Sequence, residues 1–163
     1  MAEAQIQYSS DKATAYRELA AEVAAVVKGE TSRTARYATT VSLLVSAFGG
    51  RFFWCGFYEV DPLKPNELVV GPYQGTLGCL RIAFGKGVCG AAAQKRETIV
   101  VPDVHAFPGH IACDTRSNSE IVVPVFDPAG TLIAVLDVDS TEFAAFDEID
   151  QAGLESVCRA MMG

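Results

Sequence analysis

The chain has 163 residues, half of them hydrophobic and a fifth charged, with a formal net charge of -7. A chain of ~150 residues already buries roughly 70% of its unfolded surface, so one core suffices, and the composition holds no low-complexity tract or repeat. The acidic balance argues against a nucleic-acid partner and favours cationic groups, while the polar stretch 1–12 and the lack of any apolar run near the ~20 residues of a membrane span predict a soluble, cytoplasmic protein without a membrane partner.

Ser9-Ser10-Asp11 predicts the cap of a helix whose Tyr16, Leu19, Ala20, Val23, Val26 and Val27 share one face, ending at Gly29. A second helix begins at Thr31-Ser32, carries Tyr37, Val41, Leu44 and Phe48 along one stripe, and stops at Gly49-Gly50. The aromatic run from Arg51 to Val60 predicts a strand closed by Asp61-Pro62, and Glu67 to Val70 its return. Gly71 to Gly78 is too rich in glycine for regular structure, is suited to move, and delivers Cys79.

Leu80 to Phe84 predicts a short strand, after which Gly85-Lys86-Gly87 opens a helix from Val88 to Lys95 with Cys89 near its start. Thr98 to Val101 is another strand. Val104 through Ser117 is a loop longer than most connections, of the kind that carries function when ordered. Ser119 to Phe126 and Thr131 to Ser140 predict a hairpin around the turn Asp127-Pro128-Ala129-Gly130. A last helix follows Phe146-Asp147, with Ile149, Leu154, Val157, Cys158 and Met161 on its apolar face. This order predicts an α+β domain, a central antiparallel sheet with helices packed on it. It divides into two N-terminal helices (1–50), the sheet with its active-site loops (51–140), and a C-terminal helix (141–163).

Five cysteines cannot all pair within one chain, and with no secretion signal thiol chemistry is the better default than a disulfide framework. Cys113 sits in the polar loop between His110 and the pair Asp114 and Arg116, a setting that favours a nucleophile over a small buried side chain. Cys89 has two readings: a thiolate stabilised by the helix dipole, or a space-filler between glycine and alanines. Cys55 and Cys158 read as core. Alternation along the last strand puts Ile133, Val135, Asp137 and Asp139 on one face and Leu132, Ala134, Leu136 and Val138 on the other. Burying an unpaired carboxylate such as Asp137 costs several kcal/mol, which a cationic guest would offset. Glu120 opens the neighbouring strand, where crowding and desolvation would raise its pKa and make it a proton donor at neutral pH. His105, His110 and Cys113 lack zinc-site spacing and no phosphate loop is present, so neither a metal nor a nucleotide cofactor is expected.

A set of segments resembles the free methionine-(R)-sulfoxide reductases, which are single GAF domains. These are Trp54 with Gly56-Phe57-Tyr58, Gly71-Pro72-Tyr73-Gln74-Gly75, Gly85-Lys86-Gly87-Val88-Cys89-Gly90, Val101-Pro102-Asp103-Val104, Ile111-Ala112-Cys113-Asp114, Ser117-Asn118-Ser119-Glu120-Ile121 and Leu136-Asp137-Val138-Asp139-Ser140. The resemblance spans nearly the whole chain and implies one GAF-like domain over residues 1–163. It implies that Cys113 attacks the substrate sulfur and becomes a sulfenic acid, that Cys79 resolves it as a disulfide for thioredoxin to reduce, and that Cys89 is an auxiliary resolving thiol. It further implies that Glu120, Asp137 and Asp139 hold the substrate ammonium and polarise the sulfoxide, that Trp54 and Tyr58 wall the methyl end, and that two copies pair as a dimer. The rival from another class is a ligand-sensing GAF module without turnover, which a methionine assay with sulfoxide and dithiothreitol separates from a reductase.

Overall fold

The computed structural model describes residues 6–163; the first five residues of the polar N-terminal stretch lie outside them. Helices α1 (Lys12–Val26) and α2 (Arg33–Phe48) precede strands β1 (Trp54–Asp61), β2 (Lys64–Gln74) and β3 (Arg81–Ala83). Helix α3 (Gly87–Lys95), strands β4 (Ile99–Val101), β5 (Ser119–Phe126) and β6 (Leu132–Ser140), and helix α4 (Glu148–Met162) complete the chain. The six strands form one antiparallel sheet in the order β3-β2-β1-β6-β5-β4, the α+β architecture expected. No helix among the described residues is long and apolar enough to cross a membrane.

Side-chain caps start the long helices: Asp11 accepts from the Thr14 N–H, Ser32 from the Ala35 N–H, and Asp147 with Asp150 closes a capping box on α4. Helices α1, α2 and α4 cover one face of the sheet through Leu19, Val23, Tyr37, Leu44, Leu154 and Met161, against Cys55, Phe57, Ile121 and Leu136. Cys55 and Cys158 are core, as expected. The other face carries Trp54, Tyr58, Val122 and Val135 and is covered by α3 and the loops, and this second layer holds the site.

Four expectations are corrected. Val26 is 58% exposed and Ile149 43% exposed. The buried stripe of α1 runs Ala15, Leu19, Val23 in steps of four and continues to the C-cap Val27, so Val26 falls beside it. In the first turn of α4 the inward place goes to Asp150, which takes hydrogen bonds from Tyr16 Oη at 2.8 Å and Lys12 Nζ at 2.9 Å.

The glycine-rich stretch from Gly71 is strand as far as Gln74. The register between Gly56 and Tyr58 slips where Gly71 and Pro72 stand against one residue of β1, a bulge that tolerates the missing proline N–H. A second bulge leaves Ile133 unpaired between Val125–Ala134 and Phe126–Leu132. The alternation therefore shifts there: Ile133 joins the helix-side core and Leu132 the site side, whereas Val135, Asp137 and Asp139 stay in phase.

Candidate active site

Strand pairing assembles the floor of the site. Trp54, Asp139 and Glu120 lie in one row across β1, β6 and β5, and Gly56, Asp137 and Val122 in the next. Glu120 is 6% and Asp137 5% exposed, Asp139 is partly buried, and all three line one cavity with Trp54, Tyr58, Cys89, His110 and Cys113. Burial pushes each of the three carboxyl groups well above its ordinary pKa, and the negative charge of a neighbour adds to it: Asp139 for Glu120, Glu120 for Asp137, Asp137 for Asp139. Asp137 Oδ1 is buried without a hydrogen-bond partner.

The wall is the indole of Trp54, stacked between Tyr58 and Tyr73 at centroid distances of 5.7 and 4.9 Å. It lies flat because three glycines make room. A Cβ on Gly56 would come within 2.9 Å of Trp54 Cη2, one on Gly75 within 2.6 Å of Cδ1, and one on Gly78 within 2.9 Å of Cζ2. The glycine pattern that reads as mobility in the sequence thus serves close approach.

Two loops close over this floor and a disulfide joins them. Cys79 and Cys113 are bonded, with Cα atoms 5.9 Å apart. Cys113 is exposed and also lines the cavity, which puts it at the mouth. A hydrogen-bond chain runs parallel to the disulfide. Trp54 Nε1 donates to the Thr76 carbonyl at 2.8 Å, Thr76 Oγ1 donates to Asp114 Oδ2 at 2.9 Å, and Arg116 Nη2 donates to the same oxygen at 2.8 Å. Hydrogen bonds from Arg116 hold the Asp114 carboxyl far below the usual range, and the Arg116 guanidinium lies over the Phe53 ring at 4.9 Å. In this bridged form the cavity measures about 40 Å³, against ~300–1,000 Å³ for ordinary small-molecule sites.

Cys89 lines the cavity from the first turn of α3, fully buried. Burial, and then the charges of Asp137, Glu120 and Asp139, raise its pKa well above the ordinary thiol value, so the helix dipole does not make it a thiolate here. Its sulfur and one oxygen each of Glu120 and Asp137 lie within 4.8 Å of one another, a set with metal-ligand character. The trio weighed from the sequence is not assembled: His105 faces Asn118, 3.0 Å away, while His110 Nε2 stands 3.7 Å from Glu120 Oε1. Burial lowers the His110 pKa.

Every site residue expected from the sequence therefore meets at one place, with Cys79 beside the cavity and bonded to Cys113, which lines it. Sequence reasoning left out His110, Thr76 and Asp114 as site residues. His110 carried a usable signal three residues before Cys113; the Thr76 contact links segments 38 positions apart and has no local signature.

The GAF domain family pattern matches residues 30–162. Free methionine-R-sulfoxide reductase of Escherichia coli (strain K12) is 42% identical over 147 residues, 90% of this chain and 86% of that protein. GAF domain-containing protein A of Dictyostelium discoideum is 44% identical over 146 residues, 90% of this chain and 89% of that protein. Among solved structures, free methionine-R-sulfoxide reductase from Neisseria meningitidis in complex with its substrate superposes with a TM-score of 0.90 at 48% identity, covering 98% of this chain and 93% of that one.

Proposed function

The chain belongs to the GAF domain family and, within it, to the free methionine-R-sulfoxide reductases, and from that premise we propose how its residues divide the work. The reaction is reduction of free L-methionine-(R)-sulfoxide to methionine. The Cys113 thiolate attacks the sulfoxide sulfur while Glu120 lends a proton to the oxygen. Methionine leaves, the oxygen ends on Cys113 as a sulfenic acid, and the proton lost by the thiol replaces the one Glu120 gave. Cys79 then attacks the Cys113 sulfur, water departs, and the disulfide closes. The observation that carries this reading is the Cys79–Cys113 bond at the mouth of a cavity floored by the carboxyl groups of Glu120, Asp137 and Asp139.

Asp137 and Asp139 take the substrate's ammonium, which meets the unpartnered Asp137 oxygen. Trp54 and Tyr58 pack against the methyl end. A free α-ammonium on these aspartates excludes peptide-bound substrate. The acid outweighs the thiol in this scheme. Lowering a thiol pKa from ~8.5 to ~6 raises its thiolate fraction about thirtyfold, but the loss of nucleophilicity removes about thirteenfold of that. General-acid catalysis contributes ~10² to 10⁴.

Thioredoxin recycles the disulfide, a role supported by the exposure of Cys113 and of Leu77, Leu80 and Ile111 beside the two cysteines. Cys89, buried and held protonated, serves as an auxiliary resolving thiol once the loops open. Residues 1–163 act as one GAF domain, in the cytoplasm where thiols stay reduced, and two copies pair as a dimer. The deciding experiment supplies separated sulfoxide epimers with dithiothreitol and assays methionine. Wild type should consume the R epimer alone and Cys113→Ser neither; methionine from Cys113→Ser would end the proposal.

A further inference from the structure

We propose that Cys89, Glu120 and Asp137 form a site for a thiophilic divalent cation, zinc foremost, on the floor of the cavity. The three donor atoms lie within 4.8 Å of one another on two strands and one helix. A tetrahedral zinc ion with Zn–S ~2.3 Å and Zn–O ~2.1 Å needs its ligands about 3.4–3.6 Å apart, so the set would have to close by at most roughly 1.4 Å. One oxygen of Asp137, a residue 5% exposed, has no hydrogen-bond partner, and a ligand there would satisfy it. One sulfur with two carboxyl oxygens suits zinc, since magnesium and calcium take oxygen-only shells.

Size and charge point the same way. A cavity of about 40 Å³ admits an ion with a water while the disulfide is closed. A doubly charged ion also compensates the negative charge of ionised Glu120 and Asp137 more fully than an ammonium does. The ion would occupy the floor assigned above to the substrate's ammonium, and so exclude substrate. It differs from that subsite in requiring the Cys89 sulfur, and its binding is measured without turnover, so it stands or falls separately from the reductase reading.

The test is titration of the full chain, with the Cys79–Cys113 disulfide intact, by Co²⁺ as a spectroscopic probe and then by Zn²⁺. The expected result is one tightly bound equivalent with a thiolate-to-cobalt charge-transfer band, bleached by zinc. Cys89→Ser should lose the band, and Asp137→Asn should keep it with at least about tenfold weaker binding. X-ray absorption on zinc-loaded wild type, which needs no variant, should show one sulfur at ~2.3 Å and otherwise oxygen. No stoichiometric binding, a band that survives Cys89→Ser, or a shell without sulfur would overturn the site.

Discussion

Glu120 and Asp139 stand directly opposite each other in the β5–β6 pair, so two carboxyl groups share one edge of the cavity, with Asp137 one same-face position along. Directly opposed like charges destabilise a sheet, and here burial adds to the cost. Burial and the neighbouring charges raise the pKa of all three groups, which makes it easier for the cluster to take up a proton. That is the condition for a carboxylic acid to act as a donor at neutral pH.

Glu120→Gln should lower single-turnover methionine release by at least about tenfold. An acid works only while protonated, so wild-type rate should fall as pH rises through the raised Glu120 pKa, and that alkaline limb should vanish in the variant. Near-normal turnover by Glu120→Gln, or an unchanged limb, removes Glu120 as the acid.

The same shifts have a stability consequence. A carboxyl whose folded pKa exceeds its unfolded value, ~4, binds more protons when folded, so stability declines as pH climbs from that value through the folded pKa. Asp137→Asn should therefore melt higher than wild type at pH 7, by about 2–4 °C for each kcal/mol relieved, and the difference should shrink toward pH 4. Calorimetry at the two pH values checks it; equal melting temperatures at pH 7 would mean that the ionised cluster carries no net strain.

Cys79→Ser should release about one methionine per chain without added reductant and leave a sulfenic acid on Cys113, detectable by dimedone labelling and peptide mapping. The raised pKa of Cys89 should make it slow as a substitute for Cys79. Label found on Cys79 in the wild type or on Cys89 in the variant would reverse the assignment of the attacking sulfur.

Gly78→Ala would place a Cβ within 2.9 Å of Trp54 Cζ2 and 3.1 Å of Tyr58 Oη, at a backbone angle that alanine accepts. The expected outcome is a raised KM with the fold intact, together with a shifted emission from the chain's one tryptophan. Unchanged emission and KM would show that the indole's position is not set by this glycine.

The strands and their order of hydrophobic faces are written locally and were legible. Ser119 to Phe126 needed no correction, and the phase that unites Asp137 and Asp139 came from alternation alone. Bulges were not legible. The bulges at Gly71-Pro72 and Ile133 depend on which residue of another strand stands opposite, so a glycine-proline pair that looked like an end of strand became its interior. The cysteine and acid residues of the site were recognisable by type and by resemblance, while the Trp54–Thr76–Asp114 chain is a tertiary arrangement in which a main-chain carbonyl is one of the links.

The bridge between Cys79 and Cys113 ties the Thr76–Cys79 segment to the Ile111–Asp114 segment over a space too small for an amino acid. On the proposed mechanism a spent molecule would be self-plugged, unable to take a second sulfoxide until an outside dithiol has unlocked it. Kinetically this imposes strict alternation between oxidant and reductant, and double-reciprocal plots at several reductant concentrations should run parallel, with no inhibition by excess sulfoxide.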